Sequence, residues 1–179
     1  MEDYLPVPDA VELTAPGAQL GLTETATVAW RPRQDEVVAL DITVDRVDRT
    51  SFEESFGGWV ITKQMRDQTP YFARVTVRNV GDTDAGGLAV PLYSLESSGV
   101  LVEPLGFQQK KFRPCPGGPL PERFPAGRST DLCLVYLSPE GSELEAVAFD
   151  LVGDLEPVTW SGTITEIEQP EKRKKKRRR

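Results

Sequence analysis

Tyr71-Phe-Ala-Arg-Val-Thr-Val-Arg78 sets Tyr71, Ala73, Val75 and Val77 at alternate positions, against Arg74, Thr76 and Arg78. A period of two is the mark of a strand with one face in a core and the other in water. Asn79-Val-Gly-Asp82 then turns the chain. Val38 to Val47 repeats the pattern, with Leu40, Ile42 and Val44 opposed to Asp41, Thr43 and Asp45.

Outward from this pair the chain keeps reading as β. Thr23 to Trp30 is rich in β-formers. Further strands are predicted at Gly99 to Glu103, Ser129 to Leu137, Leu144 to Leu151 and Pro157 to Ile164. Leu88 to Leu95 contains Pro91, which removes a ladder donor and predicts an edge strand. Trp59-Val-Ile61 is a short apolar piece, and residues 51–56 suit a helical turn. No stretch has an apolar period of 3.6, so the crossover helices of a parallel fold are missing. The expected fold is all-β: seven to nine short strands in two antiparallel sheets packed as a sandwich. Residues 1–18, with Pro6, Pro8, Pro16 and Gly17, read as an extended N-terminal arm, 19–165 as the sandwich, and 166–179 as a disordered basic tail.

The composition bounds the chemistry. The chain has 179 residues, is 39% hydrophobic and contains no histidine. That removes the usual general base of serine and cysteine catalysis and the commonest metal ligand. Ser129, Ser138 and Ser142 have no base partner in sequence. Asp82-Thr-Asp84 is only a fragment of a calcium loop and reads as a solvated turn. Most of the 28 carboxylates are expected to solubilise the surface. Trp30, Trp59 and Trp160 are expected to pack in the core or on sheet faces. No enzyme activity, metal or cofactor is expected.

The charge is divided. Residues 1–170 hold 13 basic and 27 acidic side chains, a balance of −14, whereas Glu171 to Arg179 carries +7. Lys172, Arg173, Lys174, Lys175, Lys176, Arg177, Arg178 and Arg179 form an unbroken cationic run suited to polyanions. Anionic lipid at about 1 kcal/mol per cation is one such partner, and a wall polymer is another. Nucleic acid is disfavoured, because the tail has no stacking aromatics and the body is acidic.

Cys115 and Cys133 lie 18 residues apart, one in a proline-rich loop and one in a predicted strand. Without histidine they make no zinc site, and the spacing is not C-x-x-C. A disulfide closing this loop would add roughly 3 kcal/mol on the chain-entropy model; the alternative is two free buried thiols. A bridge points to an oxidising compartment. Met1-Glu2-Asp3 leads into no apolar h-region, so no signal peptide is read in this chain, and the expectation is an exported protein whose signal has been removed.

Several pieces together resemble the immunoglobulin-like domain of secreted and lipid-anchored proteins of Gram-positive bacteria. They are Leu22-Thr-Glu-Thr-Ala-Thr-Val28, Leu40-Asp-Ile-Thr-Val44, Tyr71 to Asp82, Pro125-Ala-Gly-Arg-Ser129 and Cys133-Leu-Val-Tyr-Leu-Ser-Pro139. The resemblance covers about residues 19–164. The chain is most similar to uncharacterised actinobacterial cell-surface proteins with a Tyr-Leu-Pro-Val-Pro start and a Lys/Arg-rich end. In those a lipobox cysteine precedes the domain; this chain has none. The resemblance implies an extracytoplasmic, non-enzymatic interaction module at or near the cell envelope, partnered by a protein or envelope polymer. Two other functions compete: an enzyme or small-ligand-binding protein with a carboxylate site in the sandwich loops, and a nucleic-acid-associated protein acting through the tail.

Overall fold

The computed structural model describes residues 3–107 and 110–167. In chain order the strands are β1 (Gln19–Gly21), β2 (Thr25–Arg33), β3 (Glu36–Arg49), β4 (Thr69–Asn79), β5 (Leu92–Glu96), β6 (Leu101–Val102), β7 (Ser129–Ser138), β8 (Leu144–Phe149), β9 (Val158–Ser161) and β10 (Thr165–Glu166). Two four-residue helices, α1 (Phe52–Ser55) and α2 (Lys63–Arg66), lie between β3 and β4.

The strands form two sheets, giving the sandwich expected from the alternation, with ten strands among the described residues where seven to nine were expected because β1, β6 and β10 are only two or three residues long. One sheet runs β1-β9-β8-β5-β6. The other runs β10-β3-β4-β7, with β2 also on β3. β2 occupies the first part of that edge of β3, and β10 takes over at Asp48 and Arg49. Asp45 falls at the register shift between Val44 and Arg46. Two pairings are parallel, β1 with β9 and β10 with β3, and both are only two or three residues long.

The edge expected from Pro91 is not found. Pro91 lies just before β5, which pairs with β8 on one side and β6 on the other. The proline ends the preceding loop and leaves the ladder intact. β8 also departs from strict alternation: Leu95 faces Ala146 while Glu96 faces Leu144, so Glu145 is an extra residue. This shift lets Leu144, Val147 and Phe149 all join the main core. At the other end of the domain, β10 spans the boundary drawn at residue 165, and the Ile167 N–H donates to the Arg49 carbonyl at 2.8 Å.

The core lies between the sheets. Ala26, Val28 and Trp30 from β2 meet Val38, Leu40, Ile42 and Val44 from β3, and Tyr71, Ala73, Val75 and Val77 from β4. Trp160 and Phe149 come from the facing sheet, and both are fully buried. Each such side chain contributes roughly 1.5–3 kcal/mol through burial. Three polar side chains at the core margin tie separate elements together. The Tyr136 hydroxyl donates to the Leu92 carbonyl at 3.0 Å, tying one sheet to the other, and the Trp160 indole N–H donates to the Glu24 carbonyl at 3.0 Å. Burial raises the Tyr136 phenol pKa far above its ordinary value. Asn79, at the end of β4, donates to the carbonyls of Thr83 and Phe124 and accepts from Gly81 N–H, fixing two loops at once.

The outer face of the β3–β4–β7 sheet carries two apolar covers. Ala29 and Ala39 lie under the N-terminal arm, through Tyr4, Leu5, Val7, Val11 and Leu13. Thr14 and Thr27 exchange hydrogen bonds at 2.8 and 2.9 Å, and Ala29 N–H donates to the Tyr4 hydroxyl at 3.0 Å. Farther along the same face, Phe72, Cys133 and Val135 lie under a second, aromatic layer. Between the covers the face is polar, and the Thr76 hydroxyl sits 2.7 Å from Asp45 Oδ2 and 3.1 Å from Asp131 Oδ1.

Candidate functional site

The aromatic layer begins with a need for cover. Phe72 and Val135 are neighbours across β4 and β7 on the outer face, and neither can be left in water cheaply. The chain between β3 and β4 therefore does not turn tightly; it detours through α1 and α2. Ser51 caps α1 by accepting from Glu54 N–H at 3.2 Å, and Thr62 caps α2 by accepting from Met65 N–H at 3.2 Å. Phe52 and Phe56, four residues apart, bring their rings to 4.9 Å.

The second contributor is made of residues 105–107 and 110–117. It runs along the open edge of β7, where Leu105 N–H donates to the Val135 carbonyl at 2.7 Å and Gly117 N–H to the Cys133 carbonyl at 2.8 Å. The Cys115–Cys133 disulfide fastens it there. An open sheet edge is thereby covered rather than left to pair with another chain.

Phe112 is the centre of the layer. Its ring stacks on Phe56 at 4.6 Å and on Phe107 at 4.9 Å, and meets Trp59 and Phe72 edge-on at 5.6 and 5.8 Å. Such pairs contribute about 0.5–1.5 kcal/mol beyond area burial. Above it the two segments leave an open groove of about 350 Å³. Phe56, Trp59, Ile61, Met65, Leu105 and Phe107 line it, and Val60 stands at its rim with 89% of its surface exposed. Lys110 Nζ lies 5.4 Å from the centre of the Trp59 ring, on its face, as a cation–π contact.

The charge around this groove is opposite to that of the body. Residues 56–66 and 105–116 carry Lys63, Arg66, Lys110, Lys111 and Arg113 and no carboxylate, in a body with 13 basic and 27 acidic side chains. Glu53 and Glu54 line a separate recess together with Arg49, Arg66 and Glu166. The groove thus offers an apolar lining with the Lys110 ammonium over its indole, in segments whose sequence adds Lys63, Lys111 and Arg113. It has no nucleophile or carboxylate among its lining residues, so its chemistry is that of binding.

Trp30 and Trp160 are core residues, and Trp59 packs against the outer-face cluster while staying part-exposed in the groove wall. Lys172 to Arg179 lie outside the described residues. Ser142 donates to Glu96 at 3.3 Å, and the buried Ser138 hydroxyl has no hydrogen-bond partner among the described residues. Asp84 accepts from Gly86 N–H and Phe124 N–H, both at 2.8 Å, and these two bonds hold its pKa below the ordinary value. It is a turn-forming carboxylate: a Cβ on Gly86 would stand 2.0 Å from the Glu122 carbonyl oxygen, so only glycine fits this close approach.

Among the described residues the buried carboxylates are Asp48 and Glu96. Asp48 is bracketed by Arg46 and Arg74, and Glu96 accepts from Ser94 and Ser142. Each is occupied by structural partners, and neither faces the groove. No group of three or more potential ligand side chains is gathered for a metal among the described residues.

Sequence reasoning did not single out the groove. Its signal was present in Trp59-Val-Ile61, Phe107 and Phe112, apolar residues interleaved with five cations and no acid. Alternation finds strands; it does not reveal that two long connections meet.

No protein-family model matches the chain, and no curated protein matches it. Among solved structures it is similar to a secreted protein from Mycobacterium tuberculosis, MPT63, with a TM-score of 0.55 and 15% identity. The match covers 83% of this chain and 100% of that one. At this identity the likeness is one of fold.

Proposed function

We propose that the protein is an extracytoplasmic, non-enzymatic interaction module held at or near the cell envelope. The observation that carries this reading is the groove: an apolar surface with Lys110 over its indole and no nucleophile or carboxylate among its lining residues, built by two connections and fastened by a disulfide. The Cys115–Cys133 bridge supports an oxidising compartment, because such bridges are rare where thiols are kept reduced. The resemblance to secreted and surface-anchored actinobacterial proteins supports an envelope setting. The run Lys172 to Arg179 adds a cationic arm for anionic lipid or wall polymer.

The test compares the full chain with one in which those eight cations are replaced by glutamine. Cosedimentation with phosphatidylglycerol vesicles and with teichoic acid should fall on replacement, and should weaken between 50 and 500 mM salt by roughly ten-fold or more. Equal binding by both chains would remove the tail from the mechanism. Failure of the full chain to bind either polyanion would contradict envelope attachment.

A further inference from the structure

Three large hydrophobic side chains are notably exposed among the described residues: Val60, Val100 and Leu155. Their charge settings differ. Val100 lies between Glu96 and Glu103 in sequence, and Leu155 between Asp154 and Glu156. Val60 lies in a stretch whose charges are Lys63 and Arg66, and the facing segment carries Lys110, over the Trp59 ring, with Lys111 and Arg113 next to it in sequence. The most exposed apolar side chain therefore stands where the cations are, beside a part-exposed indole.

From this juxtaposition we infer that the groove mouth is a membrane-docking site for an anionic lipid bilayer, with Val60 and Trp59 entering the interface and Lys63, Lys110 and Lys111 on the headgroups. The assignment rests on the envelope reading above and names the partner of its groove. Three features select this occupant. Indole rings favour the headgroup boundary, where one side is apolar and the other wet. An exposed aliphatic side chain gains by leaving water for the acyl region. Lys63, Lys110, Lys111 and Arg113 match a surface of phosphates, each being worth about five-fold in partitioning near such a surface. The same charge repels the chain's own basic tail, which excludes that segment as the occupant. Lys110 is already poised: its ammonium lies over Trp59, so the two can enter the headgroup layer together.

The test uses the full chain and vesicles of phosphatidylcholine with 30% phosphatidylglycerol, some carrying bromine on the acyl chains. Trp30 and Trp160 are buried at 8% and 0% exposure, so quenching by brominated lipid reports on Trp59. The expected results are quenching that Trp59→Phe abolishes, about ten-fold weaker binding for Val60→Asp, and at least five-fold weaker binding for Lys110→Glu. Val100→Asp should bind as the parent does. Val60 and Lys110 are exposed, so these variants keep the fold, which circular dichroism verifies.

Parent-like binding by Val60→Asp and Lys110→Glu, with no quenching, would overturn the inference. If binding were then lost only on neutralising the tail, the envelope reading would stand without the groove. No vesicle or wall-polymer binding by the full chain would remove both. A lipid-free dimer dissociated by Val60→Asp would assign the groove to a second copy and also overturn the inference.

Discussion

The two covers on the outer face of the β3–β4–β7 sheet solve one packing problem in different ways. The N-terminal arm lays Tyr4, Leu5, Val7, Val11 and Leu13 over Ala29 and Ala39, small residues that leave room for backbone-close packing. It is tied by hydrogen bonds from Thr14 and to Tyr4, and residues 3–14 carry three acids and no cation. The aromatic layer lies over large side chains, Phe72 and Val135. Flat rings stacked on one another leave a groove above them, and the segments that supply them carry cations and no acids. A cover that only closes a core has no use for an exposed valine or an indole in the wall. The difference between the covers sets the closed surface of the arm apart from the grooved surface proposed to bind.

The comparison is broken most severely at Phe112. Phe112→Ala removes the ring that contacts Phe56, Trp59, Phe72 and Phe107, and should cost about 3–5 kcal/mol in urea unfolding. A loss below about 1 kcal/mol would mean that the layer is not integral to the fold. Replacing both Cys115 and Cys133 by serine should cost roughly 3 kcal/mol, by freeing the unfolded chain and loosening the groove wall. The variant should lose lipid-dependent Trp59 quenching before it loses strand content by circular dichroism.

On the arm, Tyr4→Phe removes the acceptor for Ala29 N–H and should cost about 1 kcal/mol, with the groove unaffected. Its pH signature is distinct. Burial, the largest effect, raises the Tyr4 pKa above 10.0; the Ala29 hydrogen bond opposes it, and the Asp3 charge adds a smaller rise. The neutral phenol is thus the form favoured by folding. Its contribution is complete below pH about 10 and declines as pH rises through the folded pKa. Proteolysis of residues 3–14 should accelerate in that alkaline window, and Tyr4→Phe should remove this component of the acceleration. The smallest effect sharpens the contrast: Val60→Ser should change stability by less than about 0.5 kcal/mol, since 89% of the side chain is already in water.

The sandwich was legible because alternation survives in β3 and β4, where each inward residue of Leu40, Ile42, Val44, Tyr71, Val75 and Val77 is buried. β5 was misplaced because a proline in a window says nothing about which side of the strand start it occupies. The bulge that sets Leu144 and Val147 on the same core face breaks the period that the reading relied on. Asn79, the single asparagine of the chain, reads in sequence as a turn residue; its three hydrogen bonds to two loops depend on tertiary placement. The groove was illegible for the same reason. Trp59 and Lys110 are 51 positions apart in sequence, and only the β7 edge and the Cys115–Cys133 bridge bring their segments together.

The most direct test of the contrast between the covers is hydrogen–deuterium exchange of the full chain with and without phosphatidylglycerol-containing vesicles. The account predicts added protection in residues 56–66 and 105–116, and none in residues 3–14. Protection of the arm instead, or bound protein with unchanged exchange in both groove segments, would contradict it.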